Sequence, residues 1–300
     1  MKLISGSSNR PFADSLARKL GIEQIEVEIT KFANDEKRVK VAPENIKGQN
    51  IILVQSFSAP VDEQIMETLL LTDALERLGA RHINLVIPWL GYSLQDKVFR
   101  DGEPISAKVV ADLISHAYIK RVFILDVHNT SVPGFFSIPT HHLSALELFT
   151  KHVRDKLDLA NAIVASPDFG GLKRARVFAD KLGLDLANID KHRDLHTGEV
   201  NAIDVQGGDV AGKHVLFFDD VIVSGSTVME AARIIKERGA SKVSFFSTHA
   251  LLVNDVTGKL QDSSVDEIII TNSVKHDNLP SKFQVLDAAP LFAGEIREWL

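Results

Sequence analysis

Short, unbroken apolar runs alternate with amphipathic segments along the whole chain. The runs are IILVQS (Ile51–Ser56), INLVIPW (Ile83–Trp89), VFILDVH (Val122–His128), AIVASPD (Ala162–Asp168), HVLFFDD (His214–Asp220) and VSFFSTH (Val243–His249). None alternates apolar with polar residues, which is how strands covered on both faces of a parallel sheet read. Between them the apolar period becomes helical. Val61 to Leu78 puts Ile65, Leu69, Leu70, Leu75 and Leu78 on one side, carries Asp62 and Glu63 in its first turn against the helix dipole, and stops at Gly79. Pro104–Ala117, Gly171–Leu182 and Val228–Arg238 read the same way, the last stopping at Gly239. Strand–helix alternation of this kind predicts βαβ units, and so an α/β fold with mostly parallel sheets flanked by helices.

Two segments resemble each other. ERLGARHINLVIPW (Glu76–Trp89) and ERGASKVSFFSTH (Glu237–His249) both run from a helix end through Gly-Ala and a basic residue into a buried strand. Shared loop chemistry accounts for so short a match, and so does a pair of similar α/β halves. The boundary is expected near residues 140–150, giving domains 1–145 and 146–300. No low-complexity linker marks it, so the halves are expected to pack closely.

Composition narrows the function classes. The chain has 300 residues, 45% hydrophobic and 25% charged, with a net charge of −6. That supports a sizeable core and argues against nucleic acid as the main partner. There is no cysteine, so disulfides and thiolate metal sites are excluded, in keeping with a reducing cytoplasm. The first residues lack the apolar stretch of a signal peptide, and no run approaches the ~18 residues that span a bilayer. A cytoplasmic protein with no membrane partner is expected.

Ligands of open parallel sheets bind beyond the carboxyl ends of the strands, and three such ends here carry suitable groups. DDVIVSGST (Asp219–Thr227) places two carboxylates before a small-residue turn and a helix. Gly225 allows a tight turn, and amides at a helix start bind a phosphate monoester. The turn is neither a Walker loop nor a dinucleotide fingerprint; a plain serine N-cap remains the alternative. Like charges repel, so the acids do not serve the same phosphate. They suit the hydroxyls of a sugar that carries it, unless one caps a helix and the other is solvated. DVHN (Asp126–Asn129) supplies His128, a structural histidine or a ligand. SPDFGG (Ser166–Gly171) supplies Asp168, a candidate anion or metal site. DKHRD (Asp190–Asp194) puts Lys191 and Arg193 in an expected loop, where a solvated charge run is the competing reading.

With these residues assembled, the chain resembles the ribose-phosphate pyrophosphokinase family from about residue 31 to 255. The resemblance extends through Asn45–Leu75, Ile87–Ile114 and Val132–Leu143 in order and spacing. It implies two tandem phosphoribosyltransferase-like (Rossmann-like) domains. It implies transfer of the pyrophosphoryl group of MgATP to the 1-hydroxyl of ribose 5-phosphate, giving phosphoribosyl pyrophosphate and AMP for nucleotide biosynthesis. Asp219 and Asp220 then lie near the ribose hydroxyls, and Ser224, Gly225, Ser226 and Thr227 hold the 5-phosphate. His128 and Asp168 match magnesium-associated positions, and Lys191 and Arg193 the basic catalytic loop. Phe32, Asn34 and Glu36, in KFANDE, match an adenine loop that reaches a neighbouring subunit; Gln95 and Lys97, in GYSLQDK, match a second ATP segment.

Some positions depart from the family pattern. Asp35 stands for a glycine and needs either φ < 0 or strain. Leu94 and Lys97 stand for arginines, and lysine lacks the bidentate fork. Val223 replaces a polar residue and Ser226 a glycine. Rival readings are a non-catalytic regulatory relative and a phosphoribosyltransferase that consumes phosphoribosyl pyrophosphate. A homo-oligomer, dimer or hexamer, is expected, with Phe135 and Phe136 of GFFSIP as an apolar patch for a partner subunit or else as core filling.

Overall fold

The computed structural model describes residues 1–193 and 200–299, with side chains described outside 190–204. Contacts divide it into two compact units. Unit 1 comprises Met1–Ser144, Asn272–Lys275 and Asp287–Leu300, and unit 2 comprises Ala145–Thr271 and His276–Leu286.

Unit 1 begins with β1 (Lys2–Ser5), α1 (Arg10–Leu20), β2 (Gln24–Ile25), β3 (Val27–Lys31) and β4 (Lys37–Val41). Then come β5 (Asn50–Val54), α2 (Val61–Arg77), β6 (His82–Ile87), α3 (Ser106–His116), β7 (Arg121–Leu125) and β8 (Thr140–Leu143). A six-stranded parallel sheet runs β2-β1-β5-β6-β7-β8, and β3 and β4 form a separate antiparallel hairpin. Local chemistry marks the ends of α1. The Asn9 side chain accepts from Phe12 N at 3.3 Å, Pro11 opens the first turn, and Gly21 closes the helix at φ 69°.

Unit 2 contains α4 (Leu146–Lys156), β9 (Ala162–Ser166), α5 (Leu172–Leu182), β10 (Leu186–Arg193), β11 (Val200–Gly207) and β12 (His214–Ile222). It continues with α6 (Ser226–Glu237), β13 (Lys242–Ala250), α7 (Val256–Asp262), β14 (Glu267–Thr271) and β15 (Phe283–Leu286). The sheet order is β11-β10-β9-β12-β13-β14-β15, parallel except for β11 against β10. The last helix, α8 (Ala289–Trp299), belongs to unit 1, where Phe292 meets Phe12 of α1 edge-on at 5.4 Å.

Every apolar run named above forms a strand, and each predicted helix is present within a few residues of its expected bounds. The two matching segments also share backbone geometry. Gly79 takes φ +78° before β6 and Gly239 takes φ +88° before β13. Each strand stands third among the five parallel strands common to both sheets, β1-β5-β6-β7-β8 and β9-β12-β13-β14-β15. A continuous apolar core lies under each sheet. One expectation fails. Phe136 is buried and Phe135 packs partly buried against the unit 1 core, so GFFSIP fills space and presents no apolar patch.

Candidate active site

The carboxyl end of the unit 2 sheet brings several of the predicted residues together. β9 stops pairing with β12 at Ala165–Phe217, while β12 continues beside β13 to Ile222. Asp219 and Asp220 therefore stand beyond the end of β9. Alternation along a strand would send them to opposite faces, yet one guanidinium reaches both. Arg174 Nη2 lies 2.7 Å from Asp219 Oδ1 and 3.0 Å from Asp220 Oδ1, and its Nε lies 3.1 Å from Asp219 Oδ1. Neither acid caps a helix and neither is solvated, since their side chains are 17% and 5% exposed. Asp168, at the end of β9, accepts from Gly171 N at 2.9 Å and closes the turn that opens α5.

Arg174 is the residue that sequence reading missed. Its signal was present: it follows the glycine pair of SPDFGG in the first turn of a helix that starts at a strand end. Burial alone would weaken its protonation, but Asp220 and Asp219 outweigh that and hold the guanidinium above its ordinary range. In turn, burial and the Asp220 carboxylate push Asp219 up to about 7, against the pull of Arg174. The folded chain thus binds the Asp219 proton more tightly than the unfolded chain does. Its contribution to stability is full below the ordinary carboxylate range and falls as pH rises toward 7. Asp219→Asn removes that repulsion together with one arm of the Arg174 contact. The variant is expected to be more stable than the parent at pH 8, by about 1 kcal/mol, with the gain vanishing near pH 4. Thermal melts at the two pH values check this; a loss at pH 8 would contradict it.

The turn after the acids is built around Gly225. It takes φ +68°, and a Cβ there would lie 2.8 Å from Val256 Cγ2, so both conformation and space demand glycine. Gly225 is the N-cap of α6, and no side chain caps this helix. The serine N-cap alternative therefore fails. The Ser224 and Ser226 hydroxyls lie 3.1 Å apart and are exposed, and Thr227 is half-buried. First-turn amides and exposed hydroxyls on a helix start are a receptor for an anion.

Unit 1 carries the remaining described candidates. Phe32, Asn34 and Glu36 lie between β3 and β4, closed by Phe32 N to Glu36 O at 2.8 Å. Phe32 is 52% exposed with Arg38 5.8 Å over its ring. Asp35 takes φ +66°, the strained branch of the expectation, which aspartate tolerates better than most residues. The hairpin is anchored beside its turn, where Lys37 Nζ meets the fully buried Glu67 at 2.5 Å. Glu67 also accepts from Ser7 N at 2.6 Å and Gln55 Nε2 at 2.7 Å. Gln95 accepts from the Ser106 hydroxyl, and Lys97 is exposed with Nζ 5.1 Å over the Phe99 ring.

His128 is exposed just beyond β7. Its segment is held from two sides: Asn129 Nδ2 donates to Asp96 Oδ2 at 2.5 Å, and Val127 N donates to His142 Nε2 at 3.2 Å. Burial lowers the His142 pKa despite Asp126 nearby, which keeps that ring nitrogen an acceptor.

Lys191 and Arg193 fall at the end of β10, not in a loop as expected, and their side chains lie outside the described residues. Among the described residues no three His, Cys, Asp or Glu side chains gather as a metal cage. Mg²⁺ does not need one. It binds through one or two carboxylates plus water and substrate phosphates, and the oxygen donors of Asp168, Asp219 and Asp220 fit that mode.

Comparison with known proteins gives a consistent result. Residues 1–117 match the N-terminal domain of ribose phosphate pyrophosphokinase, and residues 193–299 match the phosphoribosyl synthetase-associated domain. A ribose-phosphate pyrophosphokinase of Helicobacter hepaticus is 39% identical over 296 residues, covering 99% of this chain and 94% of the relative. One of Thermotoga maritima is 37% identical over 300 residues, with coverage of 99% and 94%. The crystal structure of phosphoribosylpyrophosphate synthetase from Mycobacterium smegmatis superposes with a TM-score of 0.90 at 34% identity, covering 99% of this chain and 97% of that one.

Proposed function

This chain belongs to the ribose-phosphate pyrophosphokinase family, and we propose on that premise that it is the active synthetase, forming phosphoribosyl pyrophosphate and AMP from ATP and ribose 5-phosphate. The observation that carries the reading is the pairing of Asp219 and Asp220 with an uncapped helix start at Gly225. Acids suit sugar hydroxyls and amides suit the phosphate on the same sugar. We assign the nucleotide segments to residues 1–145 and the sugar phosphate to 146–300.

In this reading the 1-hydroxyl of ribose 5-phosphate attacks the β-phosphorus of ATP in line. A new O1–Pβ bond forms, the bond from Pβ to the α–β bridging oxygen breaks, AMP leaves with that oxygen, and the hydroxyl proton is lost. Little covalent work falls to the protein, so positioning and charge stabilisation dominate. Ser224, Gly225, Ser226 and Thr227 seat the 5-phosphate, and Asp219 and Asp220 orient the ring hydroxyls. Arg174 neutralises the acids until substrate arrives. Lys191 and Arg193 offset charge gathering on the transferred group. Phe32, Asn34 and Glu36 contact the adenine, while Gln95 and Lys97 contact the rest of the nucleotide. Mg²⁺, for which Asp168 and the substrate phosphates would supply oxygen ligands, would add further charge neutralisation, and His128 is assigned as the other magnesium-associated position.

No helix among the described residues is long and apolar enough to cross a membrane. We place the enzyme in the cytoplasm as a homo-oligomer, dimer or hexamer, in which the hairpin tip at Phe32 completes a neighbour's site. Its half-exposed ring, in the turn of the β3–β4 hairpin, supports that role. Steady-state release of AMP from ATP plus ribose 5-phosphate, across a nucleotide panel, tests the reaction. AMP formation is expected only when both substrates are present; none with any nucleotide would favour the regulatory relative.

A further inference from the structure

The β3–β4 hairpin forms a sheet of its own, so side chains fix where it lies on unit 1. Its two ends are held differently. At the open end Val27 pairs with Val41, and Val27, Val39 and Val41 pack into or against the unit 1 core. At the turn end Lys31 pairs with Lys37. Like charges directly opposite each other repel, and α2 supplies an acid to each. Lys31 Nζ lies 3.0 Å from Glu63 Oε1. Lys37 Nζ lies 2.5 Å from Glu67 Oε2 and 3.7 Å from Glu63 Oε2. Glu63 and Glu67 stand about one turn apart on α2 and so face the hairpin together.

The two pairs are unlike. Lys31 and Glu63 are both well exposed, and such pairs contribute little. Glu67 is fully buried. Its Oε1 accepts from Ser7 N at 2.6 Å and Gln55 Nε2 at 2.7 Å, and its Oε2 accepts from Ser7 Oγ at 2.7 Å and from Lys37 Nζ. These bonds fill both oxygens of an ionised carboxylate. Lys37 is the cation among these partners, and a buried carboxylate deprived of its cation is costly. Gln55 is fixed in turn. Its Nε2 also donates to Gln64 Oε1 at 2.8 Å, and its Oε1 accepts from Ser8 N and Ser8 Oγ at 3.2 and 2.7 Å. Lys37 is thus tied to a filled polar network that joins α2, the end of β5 and the loop after β1. Networks satisfied in this way are rigid.

We propose that Glu67, acting through Lys37, is a positioning residue for the nucleotide: it fixes the hairpin turn in the geometry that adenine binding requires, with Glu63 and Lys31 as a weaker second tie. The inference rests on the assignment of Phe32, Asn34 and Glu36 to the adenine. Lys31 directly precedes Phe32 and Lys37 directly follows Glu36, so the two ties bracket the binding residues. Without them the turn samples other positions, and the nucleotide must order it on binding. That cost applies to the bound nucleotide and to the transition state alike. It therefore raises the ATP requirement and leaves turnover at saturation unchanged.

Lys37→Met keeps the aliphatic stem and removes the cation. It is expected to raise the KM for ATP by about tenfold or more. Turnover at saturation and the KM for ribose 5-phosphate should stay within about twofold of the parent. Glu63→Gln, at the exposed tie, should change the KM for ATP by less than about threefold. A merely structural loss reads differently, because partial unfolding lowers turnover in proportion and leaves KM in place. Lys37→Arg retains the cation and should recover most of the affinity. Should methionine prevent folding, Lys37→Gln keeps a donor to Glu67 and should show the same split. Calorimetric titration with ATP gives the same ranking without requiring turnover. Weakened ATP binding by Lys37→Met in a chain that releases no AMP would support the positioning role and remove the active-synthetase reading. Phe32→Ala probes the adenine assignment: parent ATP affinity there would remove that assignment and this inference with it. Weakened ATP binding in Phe32→Ala beside parent affinity in folded Lys37→Met or Lys37→Gln would overturn the positioning role alone. So would equal losses of ATP and ribose 5-phosphate binding in Lys37→Met.

Discussion

Lys191→Ala is expected to lower turnover by roughly 10²–10⁴, the usual effect of removing one cation that stabilises transition-state charge. Binding of ribose 5-phosphate should scarcely change. The asymmetry follows from when the charge is needed. In the proposed site the sugar and its 5-phosphate are held by the acids and the turn of unit 2, which Lys191 does not have to touch. Negative charge on the transferred group grows only along the reaction coordinate, so a cation aimed there stabilises the transition state more than the ground state. Turnover measured by AMP release, and ribose 5-phosphate affinity measured by calorimetry, separate the two. Equal losses in both would remove the transition-state role. Arg193→Ala should behave in kind, and the double variant should fall well short of the product of the single effects if the two residues act as a unit.

Gly225→Ala is expected to weaken ribose 5-phosphate binding by about 10- to 100-fold, the loss of one or two hydrogen bonds to a charged group. Two physical effects combine. A residue with a Cβ at φ +68° carries a backbone penalty of about 1–2 kcal/mol. The added methyl would also stand 2.8 Å from Val256 Cγ2 and 3.3 Å from a Leu260 methyl, so α7 and the turn must separate. The amides at the start of α6 then lose their aim at the phosphate. Val256 and Leu260 are core residues of unit 2, so the melting temperature should fall, but the strain is confined to one turn and the fold should survive. Calorimetric titration with ribose 5-phosphate reads the effect directly, with circular dichroism as the check on folding. Parent affinity in a folded alanine variant would remove the 5-phosphate from this turn. The segments proposed to bind nucleotide belong to unit 1, so nucleotide affinity measured without the sugar should be nearly unaffected.

Much of the molecule was legible as sequence because its strands are buried on both faces. A strand between two helical layers must be apolar at successive positions, and Ile51–Val54, Val122–Leu125 and Val215–Phe218 are. Helix ends were legible through glycine, since Gly79 and Gly239 take backbone angles that other residues resist. The turn at Gly225 was readable for the same reason, and the acids before it because charge at the end of an apolar strand is conspicuous. Edge and half-exposed elements escaped. The β3–β4 hairpin alternates exposed and half-buried positions and carries many charges, so nothing in its composition separates it from a loop. Asp35 could be flagged as a poor fit but not resolved, because φ depends on the hairpin that encloses it.

What only the tertiary structure decided are the relations between residues far apart in sequence. Arg174 and Asp219 stand 45 positions apart and share a hydrogen bond, because α5 starts where β9 ends and β12 runs on past it. The fully buried Glu67 meets Lys37 because α2 packs beneath the hairpin. Phe136 looked available to a partner in sequence and is core in space, and α8 ends the chain yet packs on α1. Local pattern records which face of an element avoids water. It does not record which neighbour supplies the cover, because any apolar face satisfies the hydrophobic requirement, and only the packed whole selects one.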